Sequence, residues 1–297
     1  MSKPAEPNPN RQKHLAMAAI MGAATLWGSM GIFSRGLGAL NISVTSVAII
    51  RNFGAFLLMA IFFLITDRSV FRIKLRHLPI FFGTGVGSVL MMTIFYFRSQ
   101  QVSSLAVAAI LLYTAPTFVV ILSAILFKDK ITKQKLAALI IAFLGCSFVT
   151  GIWSGGLEVT PLGIALGLAS GLSYSLYTVI GRFGLQHYQP FTVTFYSLLF
   201  AGVGSLFFWD TQEMATIAAS PKGLLMSLGL MLFATVLPYL LYTKGLSGLG
   251  DSSKASILAS VEPVVAAIVG IIAFGEPMTM GVVLGLACIL TSVYILR

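Results

Sequence analysis

Residues 110–132, ILLYTAPTFVVILSAILFKDKIT, align without a gap on residues 257–279, ILASVEPVVAAIVGIIAFGEPMT. Pro116 falls on Pro263, Phe127 on Phe274, Asp129 on Glu276 and Thr132 on Thr279. The 147 residues that separate the two prolines also set Arg35 on Arg182, Trp27 on Tyr174 and Thr45 on Thr192. The chain therefore reads as two homologous halves. One difference stands at the centre of the match: Glu262 before Pro263 is replaced by Ala115 before Pro116.

The stretches around this match are apolar throughout. Of 297 residues 57% are hydrophobic and only 9% charged, with mean hydropathy +0.95, against about 25% charged in a soluble domain. Runs long enough to cross ~30 Å of hydrocarbon at 1.5 Å per residue recur from end to end, which predicts helices rather than the alternating strands of a barrel. We place ten spans at 14–34, 43–66, 78–98, 104–127, 134–152, 161–182, 190–208, 221–243, 253–274 and 279–296. The first runs past signal-peptide length and is read as retained. The expected division is a tail over 1–13, a five-helix repeat over 14–152 and a second over 153–297. Five is odd, so the second repeat enters the membrane from the opposite side. The fold class expected is an all-α integral membrane protein of two inverted-topology repeats, a construction suited to secondary transport because the halves can rock about a midplane site.

Charge supports this topology. Of the 19 Lys and Arg, only Arg35, Arg51, Arg98 and Lys222 fall on the side opposite the N-terminus. By the positive-inside rule both termini are cytoplasmic and the span number is even. The net charge of +10 is thus topological, and no nucleic-acid partner is expected. Cys146 and Cys288 lack metal-ligand spacing, and His14, His77 and His187 fall at or between span ends. No cofactor and no metal are expected. Gly163, Gly167 and Gly171, like Gly281 and Gly285, are packing ridges. GTGVG at 83–87 lacks the strand and lysine of a phosphate loop.

With TAPTFVV closing on an acid in the fourth span and SVEPVV in the ninth, the chain resembles the EamA-type transporters of the drug/metabolite transporter superfamily over residues 15–296. The resemblance implies an inner-membrane carrier of small organic solutes, with a central cavity lined mainly by helices one, three, four, six, eight and nine. It does not fix the substrate. The few formal charges point to zwitterions, neutral metabolites or amphipathic cations. Export of neutral or aromatic amino acids is the first expectation, and amine or drug efflux the second. An enzyme acting on lipid-linked substrates would need a cluster of carboxylates or histidines, which the sequence lacks. The partners expected are the substrate and the bilayer, with a homodimer left open.

Two ionisable residues stand in span nine. Glu262 lies about 13 Å into it, where an unpaired charge costs at least ~2.5–3.5 kcal/mol. On a regular helix it shares a face with Ala255, Ala259 and Ala266, opposite Ser253, Ser256 and Ser260. It either faces the cavity, to titrate or hold an amine, or locks a helix contact at the Pro263 kink. Lys254, Arg98, Lys244 and Arg51 are read chiefly as interfacial, snorkelling to the headgroups. Ser170, Ser173, Tyr174 and Tyr177 recur at helical spacing as one polar aromatic face. The substrate-binding set expected is Glu262, Tyr113, Tyr174, Tyr177, Ser260, Trp27, Tyr239 and Lys254, with Tyr96 and Tyr242 weaker.

Overall fold

The computed structural model describes residues 9–154 and 158–296. The first eight residues of the tail, with Lys3, and Arg297 lie outside the described residues. Ten long helical segments follow one another: α1 Asn10–Gly38, α2 Val44–Thr66, α3 Leu75–Val102, α4 Leu105–Phe127, α5 Lys133–Val149, α6 Pro161–Leu185, α7 Pro190–Phe208, α8 Pro221–Leu249, α9 Ser252–Phe274 and α10 Met280–Ile295. Eight have 19 to 29 residues, enough to span a membrane, while α5 and α10 are shorter at 17 and 16. A short helix, Thr211–Ala219, joins α7 to α8. No strand occurs among the described residues. Several helix ends differ from the sequence reading by a few residues, those of α3 and α8 among them. Helix α3 runs on to Val102 and α8 to Leu249, past Arg98 and Lys244, because no breaker intervenes before Ser103 turns extended and Gly250 turns left-handed.

The two repeats share a local grammar. Ser104 caps α4 by accepting from the Val107 amide, and Asp251 caps α9 by accepting from Lys254. Each helix then breaks, at Tyr113–Thr114 and at Ser260–Val261, and restarts with Pro116 or Pro263 in its new first turn. Proline has no amide to offer, so the carbonyls of Leu112 and Ala259 lose their helical partner. Left-handed residues end both helices, Lys128 at φ 56° and Gly275 at φ 67°. Thr132 and Thr279 then cap α5 and α10. Every pair in this series is separated by the same offset as the prolines.

Packing repeats the same exchange. Helix α1 lies on α8 and α9, and its counterpart α6 lies on α3 and α4; α5 and α10 pair with one another. Each half thus builds its contacts with the other, as two copies of opposite orientation require. Small residues permit the approach. A side chain on Gly245 would meet the Ala16 carbonyl at 2.7 Å, and one on Gly285 the Gly145 carbonyl at 2.8 Å. Outward faces are apolar, with Ile61, Ile65, Ile125 and Phe207 exposed, as lipid contact demands. Inside, hydroxyls bond across helices, Thr84 to Ser197 at 2.7 Å and Thr178 to Tyr242 at 2.6 Å.

At each end of the bundle an arginine of one half meets an acid of the other, and at one end Lys135–Asp251 at 2.8 Å adds a further pair between the halves. Arg35 on α1 meets Glu276 beyond α9 at 2.6 Å, its guanidinium 4.3 Å from the Phe274 ring. Arg182 on α6 meets Asp129 beyond α4 at 2.6 Å, 4.2 Å from Phe127. The second latch lies at the end where the chain terminates, since Asp129 and Leu296 border the same cleft.

Candidate functional site

The broken turns of α4 and α9 meet α6 at the centre of the bundle. Two adjoining chambers open there, of about 20 Å³ and about 90 Å³. The smaller is lined by Tyr113, Ala115, Tyr174, Tyr242, Ser256, Ser260 and Glu262, among others. The larger is lined by Trp27, Arg51, Thr93, Tyr96, Tyr174, Tyr239 and Glu262, with apolar Met30, Met92, Phe97 and Leu112. Tyr174 and Glu262 border both, and the Tyr174 hydroxyl donates to Glu262 Oε2 at 3.1 Å. Trp27 stands edge-on to Tyr239 at 5.2 Å between ring centres, which fixes the aromatic wall. Its indole Nε1 is buried without a hydrogen-bond partner. A third, wider cleft of about 460 Å³ carries Arg35 and Glu276 and shares Tyr96 with one chamber and Tyr113 with the other.

Six of the eight residues expected from sequence border these chambers: Glu262, Tyr113, Tyr174, Ser260, Trp27 and Tyr239. Two stand apart. Tyr177 lies behind the wall, 3% exposed, with its hydroxyl 2.8 Å from Thr243 Oγ1. Its role there is to tie α6 to α8. Lys254 occupies the first turn of α9, about 12 Å along the axis from Glu262, in the cleft bordered by Lys130, Lys135 and Asp251.

The regular-helix face argument fails at Glu262. Ser256, Ala259, Ser260 and Glu262 border one chamber together, although a continuous helix would set Ser260 opposite the acid. The break at Ser260–Val261 interrupts the 100° progression and brings both faces round to the same space.

Arg51, expected to snorkel outward from its place early in the second span, lines the larger chamber instead. It lies in a widened π turn, Ile50–Gly54, which inserts an extra residue into the helical progression and turns the side chain inward. The guanidinium carbon is 6.0 Å from the centre of the Tyr239 ring, and Nε is buried without a hydrogen-bond partner. The repeat held a signal for it: the residue matching Arg51 is Leu198, so this charge, like Glu262, has no counterpart.

The arrangement offers an enclosed polar centre between two exchangeable halves, and comparison with known proteins agrees with that design. The EamA-like transporter family matches residues 14–151 and again 161–297. The chain belongs to this family. An uncharacterized transporter of Archaeoglobus fulgidus is 32% identical over 94% of both chains. The threonine/homoserine exporter RhtA of Escherichia coli K12 is 27% identical over 94% of this chain and 87% of its own length. A crystal structure covering 94% of this chain and 95% of its own superposes with TM-score 0.80 at 18% identity, a likeness of fold. As an EamA-like protein the chain is a multi-pass membrane transporter.

Proposed function

We propose that the chain is a secondary carrier of the inner membrane, with cytoplasmic termini, that exports neutral amino acids by alternating access of its two halves. The observation that carries this reading is Glu262, a lone carboxylate held by the Tyr174 phenol at the wall of two chambers where the halves meet. A carboxylate there can receive a substrate ammonium or a proton, and the surrounding rings suit a small organic body. The charge asymmetry of the loops supports the orientation, and the likeness to RhtA supports the substrate class. Substrate and bilayer are the partners the reading requires; an enzyme's cluster of acid and base groups is not part of it.

The test is counterflow in proteoliposomes loaded with threonine, homoserine or phenylalanine, with and without a pH gradient, for wild type and Glu262→Gln. Wild type should accumulate at least one labelled amino acid, and Glu262→Gln should lose most of that flux and its response to the gradient. Unchanged flux and gradient response in the variant would remove Glu262 from the mechanism. Preferential movement of amines without carboxylates would favour the efflux reading instead.

A further inference from the structure

Arg51 and Glu262 come from different halves, Arg51 on α2 and Glu262 on α9, yet both border the larger chamber. They are not in ion-pair contact: the ion pairs within 4 Å among the described residues are Arg35–Glu276, Lys135–Asp251 and Arg182–Asp129. A cationic fork and a carboxylate thus face one small space without closing on each other.

Architecture does not account for either charge. Leu198, matching Arg51, is fully buried, and Ala115, matching Glu262, is 3% exposed. The π turn around Arg51 is likewise unshared. The widened turn Gly83–Leu90 of α3 has its counterpart in Leu232–Val236 of α8, whereas residues 197–201, which match Ile50–Gly54, form regular helix. π turns inside helices occur frequently at functional sites, and this one, present in one half only, carries Arg51 in the chamber lining. Arg presents donors that match a carboxylate in two parallel bonds, and its Nε has no protein acceptor.

We infer that the chamber is bipolar and selects zwitterions, Arg51 receiving the substrate carboxylate and Glu262 its ammonium. This rests on the transport reading above and names its substrate class. An amine would leave Arg51 without its anion, and a carboxylic acid would leave Glu262 without its cation. Both should be rejected, because a site built to bond a group loses most when the group is missing. Tyr96 and Thr93 line the same chamber and suit a small polar side chain.

The experiment uses the full-length chain in proteoliposomes and three competitors of labelled-threonine counterflow: threonine, 1-amino-2-propanol, which lacks the carboxylate, and 3-hydroxybutyrate, which lacks the amine. Wild type should prefer threonine to either by at least about tenfold, the value of one charge-assisted bond. Arg51→Gln should erase the preference over the amine while leaving inhibition by the amine itself in place. Glu262→Gln, read on its residual threonine flux, should erase the preference over the acid. Arg51→Lys, which keeps charge without the fork, should fall between, and it serves if Arg51→Gln does not fold; monodispersity and thermal melts decide that. The inference is overturned if wild type shows no preference, or if folded Arg51 variants weaken all three competitors equally or none. In those cases threonine flux still stands and the carrier reading survives. Absence of wild-type amino-acid flux would instead refute the carrier reading itself.

Discussion

Arg35 and Arg182 make the same two contacts at opposite ends of the molecule, each with an acid and a phenylalanine of the other half. Arg51 and Glu262, by contrast, are answered in the other half by Leu198 and Ala115. The two arginine latches at the rims are duplicated, although Lys135–Asp251 beside one of them is not, and the two central charges are not duplicated either. Duplicated features follow from the need of either half to hold the other. Glu262 and Arg51, present once and bordering the larger chamber, are free of that need, and in the proposed reading they hold the solute.

The contrast breaks most sharply if a charge placed at Leu198 is tolerated. This side chain is fully buried, so Leu198→Arg should cost at least about 2.5–3.5 kcal/mol, read as loss of monodisperse protein. A stable, active variant would mean that the centre could have been duplicated. The next effect concerns Gly28, whose added Cβ would lie 2.7 Å from the Glu262 carbonyl and 2.6 Å from Val265 Cβ. Gly28→Val should cost about 1–3 kcal/mol by overpacking and disturb counterflow more than Gly31→Val, where a Cβ meets nothing within 4 Å.

The rims themselves are alike in chemistry but not in depth. Side chains of the Arg182–Asp129 pair are 22% and 17% exposed, those of Arg35–Glu276 54% and 43%. Asp129→Asn should therefore lower thermal stability by about 1–3 kcal/mol, and Glu276→Gln by at most about 1 kcal/mol, with that small loss vanishing in high salt. Equal losses would remove the difference in burial as the cause. The smallest effect lies at the paired helix stops, where Lys128 holds a left-handed φ of 56° and Gly275 does the same without a side chain. Lys128→Gly should raise stability by up to about 1 kcal/mol.

The duplication, the number of spans, the prolines and the acids beyond them were legible in the sequence because apolar length, spacing and breakers are local properties. That Arg35 and Asp129 each join the opposite half was not, since an offset matches residues to their counterparts and says nothing of their contacts. Of the central aromatics Tyr174 was readable from helical spacing on α6, Trp27 from its match to Tyr174, and Tyr113 from its depth within its span. Tyr177 fell on the same stripe but behind the wall, because one helical face is wider than one chamber. Arg51 and the face of Glu262 escaped. Glu262 was projected on a uniform helix and Arg51 was read from its nearness to a span end, whereas the side chains sit where the helix is broken or is a π turn.

The breaks in α4 and α9 also have an electrical consequence. Each divides a membrane-spanning dipole into two and sets a half-helix N-terminus, at Ala115 and at Glu262, in the middle of the bundle. Such an end carries roughly half a positive charge, and a carboxylate in its first turn gains about 0.3–2 kcal/mol. Glu262 stands in that turn. The proline common to both halves thus prepares, in each, a seat that favours an anion, and only one half has put an acid in it.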